Sequence, residues 1–134
     1  MDDVTSPALI FLAEDDPAMR SMLRLLMTRS GFEVVACADG ASLIHEIQLA
    51  HTGAPRPQVI ISDVQMPGKG GLEVVEVSKR CLPEVPVILI TAFGDERTHR
   101  RARDLGATAV LNKPFALTDL QRLVVEAVAS ANNG

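Results

Sequence analysis

The chain has 134 residues, a length that fits one ordinary domain, and 47% of them are apolar, enough to fill a core. A formal net charge of −4 argues against direct nucleic-acid binding, which favours a basic surplus, and the lack of Trp and Tyr removes the usual stacking platforms for flavins or bases. There is no apolar run long enough to cross a membrane, and the acidic start Met1-Asp2-Asp3-Val4 lacks the basic region of a secretory signal, so the expectation is a soluble cytoplasmic protein with no membrane partner.

Taken in order, apolar runs alternate with helical patterns. Ala8 to Ala13 reads as a first strand. Asp16-Pro17 then supplies an N-cap with proline at the first helical position, and the stretch from Pro17 to Ser30 sets Met19, Met22, Leu23 and Leu26 on one core-filling face before Gly31 stops it. Glu33 to Cys37 is a short second strand. Asp39-Gly40 opens a second helix with Leu43, Ile44 and Ile47 inward, and the loop from His51 to Pro57 ends it by its Gly and Pro content. The third strand, Val59-Ile60-Ile61-Ser62-Asp63, runs apolar, finishes on a carboxylate and meets the turn Met66-Pro67-Gly68.

A helix from about Gly71 to Arg80 follows, presenting Leu72, Val75 and neighbouring valines. Pro83 and Pro86 bracket the entry to a fourth strand, Val87 to Thr91. An arginine-rich helix follows Gly94-Asp95 and ends at Gly106, and Thr108 to Asn112 is the last strand. Thr118-Asp119-Leu120-Gln121 has the form of a capping box opening a helix with Leu120, Leu123, Val124, Ala127 and Val128 inward. Ala129 to Gly134 reads as a frayed tail, leaving a core of residues 8–128 in a single domain of residues 1–134. Cys37 and Cys81 are far apart and match no metal spacing; they read as small, partly buried residues in a reducing compartment.

Strands alternating with helices in this way predict a parallel sheet covered on both faces, an α/β three-layer domain. Ligands in such sheets sit beyond the carboxyl ends of the strands, where strand order reverses. Those ends carry Glu14-Asp15-Asp16, Asp63, Thr91 and Lys113-Pro114. Carboxylates brought that close repel unless a cation sits among them, and hard oxygen ligands suit Mg2+. A carboxylate is also a competent nucleophile at phosphorus, with Mg2+ and Lys113 as the positive charge around the transferred group and a threonine hydroxyl as a further donor. Gly68-Lys69-Gly70-Gly71 lacks the spacing of a phosphate loop and is a turn, and His45, His51 and His99 are scattered on surface positions.

The set Glu14-Asp15, Asp63 with Met66-Pro67-Gly68 and Gly71, Thr91-Ala92, and Lys113-Pro114-Phe115 resembles the receiver domain of two-component response regulators, in the right order from Leu9 to Val128. The resemblance implies a doubly wound (βα)5, flavodoxin-like sandwich with strand order 2-1-3-4-5. It makes Asp63 the phosphoacceptor of a sensor histidine kinase or phosphotransfer protein. It makes Asp15 and Asp63 carboxylate ligands of Mg2+, with the Gln65 backbone carbonyl as the third protein ligand and Glu14 assisting through water. Thr91, Ala92 and Lys113 would contact the phosphoryl group, and the Lys113-Pro114 peptide would be cis. Asp16, directly before Pro17, is assigned to capping instead of metal. Val110 stands where the family carries its switch aromatic, so the usual coupling of Thr91 to a ring is missing. Gly70 holds a place often taken by aspartate, and Gln65 and Phe93 are placed to flank the phosphoryl group.

The leading function is therefore a phosphorylation-dependent signalling switch, not an enzyme apart from Mg2+-dependent autophosphorylation and autodephosphorylation of its own aspartate. The alternative is a receiver-like protein-interaction module that works without phosphorylation. A phosphohydrolase would want a second acid where Gln65 stands, and a flavodoxin-like carrier would want a hydroxyl-rich loop after the first strand. Partners downstream are an output protein or an attached output domain; none fits in the residues after the last helix, which makes the chain a stand-alone receiver or a piece of a longer regulator. A homodimer through the face of the fourth helix, fifth strand and fifth helix is a further expectation. Arg97, Arg100, Arg101 and Arg103 on the fourth helix are either a basic docking face for an acidic partner or a solvated helix partly balanced by Asp95, Glu96 and Asp104.

Overall fold

The computed structural model describes residues 8–92 and 94–133. Strands β1 (Leu9–Ala13), β2 (Glu33–Cys37), β3 (Val59–Asp63), β4 (Val87–Thr91) and β5 (Ala109–Asn112) alternate with helices α1 (Pro17–Arg29), α2 (Gly40–His51), α3 (Gly71–Cys81), α4 (Glu96–Leu105) and α5 (Leu117–Asn133). The strands form one parallel sheet in the order β2-β1-β3-β4-β5, the order expected. Both central strands, VIISD and VILIT, are buried at every residue, which is why they read as continuous apolar runs and not as alternating ones.

The sheet divides the core in two. On one side Phe11, Ile60, Val87 and Leu89 pack with Leu43 and Ile47 of α2, Val74 and Val75 of α3 and Ala102 of α4. On the other, Ile10, Leu12, Val59, Ile61, Ile88 and Ile90 pack with Leu23 and Met27 of α1 and Leu120 and Val124 of α5. The period of two along each strand sends neighbours to opposite faces, and burying both faces leaves charge only one place to go, the strand ends.

Aspartates start three of the helices. The carboxylates of Asp16, Asp39 and Asp95 accept from the N–H groups of Met19, Ser42 and Thr98 at 3.0, 2.7 and 2.8 Å. Gly106, with φ +108°, closes α4 in the left-handed region where a side chain would be strained.

Three expectations are corrected. Met22 is 38% exposed; α1 turns Leu23 and Met27 fully inward instead, and Met22 lies on the edge of that stripe. The capping box at Thr118 is absent, because α5 has already begun at Leu117: the N–H groups of Asp119 and Leu120 bond to the Ala116 carbonyl, which leaves Thr118 exposed inside the first turn. Of the residues read as a tail, those up to Asn133 continue α5, and Gly134 lies outside the described residues. No helix among the described residues is long and apolar enough to cross a membrane.

Candidate functional site

Register brings the strand-end residues together. Ala13 lies opposite Ser62, so Glu14 comes level with Asp63; Asp63 lies opposite Ile90, one residue short of Thr91; Thr91 lies opposite Asn112, one short of Lys113. The steps from β3 to β4 and from β4 to β5 each advance the polar residue by one, and the set forms a stair along the carboxyl edge. The chain leaves β1 for β2 on one side and returns to β3 on the other, so Glu14 and Asp63 flank the place where strand order reverses.

Asp63 is 5% exposed and Glu14 1%. The Lys113 ammonium lies between them, donating to Asp63 Oδ2 at 3.1 Å and to Glu14 Oε1 at 3.2 Å. The second oxygen of Glu14 accepts from the Asp16 N–H at 3.1 Å. Asp63 Oδ1 is different: it is buried and has no hydrogen-bond partner among the described residues. Asp15 is exposed beside them, and one oxygen from each of Glu14, Asp15 and Asp63 lies within 4.8 Å of the others.

The electrostatics follow from this crowding. Burial pushes the Glu14 carboxyl above its ordinary value and the charge of Asp63 adds to it, while the Asp16 N–H and Lys113 pull it back. Burial works to lower the Lys113 ammonium, but the hydrogen bond and charge of Asp63 and the charge of Glu14 outweigh it and hold that group above its ordinary value. Three acids share one ammonium, so the cluster carries excess negative charge around an unbonded carboxylate oxygen. A hard divalent cation such as Mg2+ matches that donor set.

The expected residues are therefore found as follows. Glu14, Asp15, Asp63 and Lys113 converge, and the Lys113-Pro114 peptide is cis. Thr91 is fully buried at the end of β4, and its hydroxyl donates to Gln65 Oε1 at 3.1 Å. Ala92 lies in a bend just beyond Thr91. Asp16 caps α1 and is not among the clustered acids. Val110 lies opposite Leu89 and packs half-buried against the core. Arg97, Arg100, Arg101 and Arg103 are exposed along α4, and Arg101 lines a groove with Asp15, Gln65, Leu72 and Glu76. Phe93 lies outside the described residues.

Several supports were not foreseen. Arg20 reaches back from the first turn of α1 to the Glu14 carbonyl at 2.9 Å. The signal for it was present, since a long side chain on a helix points toward the helix start. Ser62 is fully buried and donates to the Asp63 carbonyl at 2.9 Å. Gly71 opens α3 so close to the site that a Cβ there would stand 2.5 Å from the Asp63 carbonyl oxygen. The loop after β4 passes Asn112 at Gly94, where a Cβ would collide with the Asn112 carboxamide, itself hydrogen-bonded to His99 at 2.8 Å.

A family model described as the response regulator receiver domain matches residues 10–125. The transcriptional regulatory protein PdtaR of Mycobacterium tuberculosis is 33% identical over 120 residues, which cover 88% of this chain and 55% of that protein. This chain thus spans a little over half the length of that relative. Among solved structures, the chemotaxis protein CheY4 of Vibrio cholerae is 27% identical, with a TM-score of 0.80 over 91% of this chain and 99% of that one. A CheY-like receiver domain protein from Methanospirillum hungatei has a TM-score of 0.87 over 96% of this chain and 98% of its own, at 20% identity, a likeness of fold.

Proposed function

Since this chain belongs to the response regulator receiver domain family, we propose that it is a switch phosphorylated on Asp63. The observation that carries the proposal is the buried Asp63 Oδ1, unbonded among the described residues, at the centre of two further acids and Lys113. The Asp63 carboxylate attacks the phosphorus of a phosphohistidine on a histidine kinase or phosphotransfer protein. A P–O bond forms, the P–N bond breaks, and the imidazole leaves with the bonding pair. Lys113 and the Thr91 hydroxyl would take phosphoryl oxygens, with the Ala92 backbone beside them. Asp15, Asp63 and the Gln65 carbonyl would hold Mg2+, with Glu14 assisting through water. Bound there, the ion supplies positive charge against the phosphoryl oxygens. The chain then turns over no substrate except its own aspartate.

A cytoplasmic location is proposed here too. An output protein or attached output domain reads the state of the switch. The exposed arginines of α4 and the face of α4, β5 and α5 are the proposed contact and homodimer surface. An interaction module that works without phosphorylation remains the second reading, favoured by Val110, which has no ring to move. Intact-mass spectrometry after incubation with acetyl phosphate separates the two. The switch predicts one added phosphoryl group that needs Mg2+ and is lost in Asp63→Asn. No adduct on the native chain, together with no response to beryllofluoride, would leave the module as the better account.

A further inference from the structure

The hydrogen bond from Thr91 to Gln65 has a consequence for how the switch is set. Thr91 is fully buried at the end of β4, while Gln65 is exposed two residues beyond Asp63, so the Gln65 side chain reaches across from one strand end to the next. The bond is 3.1 Å long with the threonine hydroxyl as donor and the carboxamide oxygen as acceptor. A hydroxyl has one proton and gives it to one acceptor at a time. A phosphoryl oxygen on Asp63 would need that same proton.

We infer that Gln65 is a positioning residue that holds the Thr91 hydroxyl in the resting state and competes with the phosphoryl group for its proton. The inference rests on the phosphoacceptor reading of Asp63. Val110 gives the competition its weight. It lies opposite Leu89 in the neighbouring strand, aliphatic and packed into the core, and offers the Thr91 hydroxyl no acceptor and no ring to follow it. The loop that begins at Gln65 is thus tied to Thr91 by a bond that phosphorylation must break. Releasing it frees the Gln65 side chain, which lines the groove with Arg101 and Leu72. Movement of Thr91 is thereby transmitted toward α3 and not only toward β5.

Beryllofluoride, a stand-in for the phosphoryl group, tests this in the presence of Mg2+. The chain has no Trp or Tyr, so binding is followed by calorimetry. Gln65→Met keeps the length of the side chain and removes the acceptor. A neutral hydrogen bond of ordinary net strength corresponds to binding tightened about two- to tenfold in Gln65→Met relative to the native chain. In a Thr91→Val background the same substitution should change the affinity by less than about twofold, and in Thr91→Ser, which keeps the proton, the gain should return. Equal or weaker binding by Gln65→Met overturns the inference, because Gln65 would then be indifferent or would itself serve the anion. A gain that persists in Thr91→Val also overturns it, since the effect would be one of packing. If the native chain binds no beryllofluoride, the phosphoacceptor reading fails and takes the inference with it; if the native chain binds and Gln65→Met matches it, only the inference fails.

Discussion

Asp63→Asn in metal-free solution puts the electrostatics of the site to a direct test. Two opposing terms change together. The variant loses the attraction between Asp63 and Lys113 at 3.1 Å, about 5 kcal/mol at an effective dielectric of roughly 20. It also loses repulsion from Glu14 and Asp15, whose oxygens lie within 4.8 Å, about 3.5 kcal/mol for each pair by the same rule. Asp15 is exposed, so solvent and salt screen its share, and the two Coulomb terms come close to cancelling. The balance is then decided by Asp63 Oδ1, a buried charged oxygen without a partner, whose relief is worth about 1–3 kcal/mol. The Asn amide that replaces it can donate to the neighbouring carboxylates. The variant is therefore expected to be more stable than the native chain in EDTA by about 1–3 kcal/mol, a rise in Tm of about 4–10 °C for a domain of this size. Calorimetric or urea unfolding with and without Mg2+ measures it. Added Mg2+ should narrow the gap, because only the native acid set gains from binding the ion. A variant less stable than the native chain in EDTA would refute the reasoning, and so would a gap that Mg2+ leaves unchanged.

Lys113→Met leaves Glu14 and Asp63 buried without their shared cation and is expected to cost about 3–5 kcal/mol in urea unfolding in EDTA; a cost below about 1 kcal/mol would contradict the placement of the ammonium. Gly71→Ala sets a Cβ 2.5 Å from the Asp63 carbonyl oxygen and 2.9 Å from Val64 Cα, both backbone atoms, and should cost about 1–3 kcal/mol, whereas the nearest atoms to a Cβ in Gly94→Ala belong to the movable end of Asn112 and it should cost less; the reverse order in urea unfolding would count against both placements. Burial, with the charges of Glu46 and Asp39, holds the Cys37 thiol up at about 11 against an ordinary 9.0. Below pH 9 the thiol is protonated in both the folded and unfolded chain; from pH 9 toward 11 the unfolded chain gives up its proton first, so stability should fall across that window, and Cys37→Ala should flatten the slope.

The fold was legible because burial on both sides of β3 and β4 leaves the plainest of sequence patterns, short unbroken apolar runs with Gly and Pro between them. Helix starts were legible where an aspartate caps them, at Asp16, Asp39 and Asp95. The start of α5 was misread because Thr118 to Gln121 has the letters of a capping box, while the Ala116 carbonyl, which any residue can supply, does the capping. Met22 was misplaced because a helical stripe has an edge, and periodicity alone does not say on which side of it a residue falls. The acids, Thr91 and Lys113 could be gathered from the rule that ligands sit at the carboxyl edge of a parallel sheet. The Thr91–Gln65 bond could not, since it depends on a rotamer of an exposed side chain, and spacing carries no information about rotamers.

The clustered acids are expected to make the resting protein less stable, and the arrangement of the core explains why it tolerates them. Glu14, Asp63 and Thr91 are each within a few per cent of complete burial, yet each directly follows or ends a strand whose other residues, the buried Ser62 apart, are apolar and packed on both faces. Their backbones are fixed by the ladder and by short bonds at its end: Glu14 N–H to the Cys37 carbonyl, Val64 N–H to the Ile90 carbonyl and Lys113 N–H to the Thr91 carbonyl, at 3.1, 2.8 and 2.8 Å. A carboxylate on a mobile loop would relieve its repulsion by turning toward water. Here Glu14 and Asp63 are buried at the strand ends and cannot turn that way, so their repulsion persists until a cation arrives or a charge is removed. The gain expected from Asp63→Asn in EDTA and its expected shrinkage in Mg2+ thus follow from one arrangement, in which the strand ends hold Glu14 and Asp63 close together.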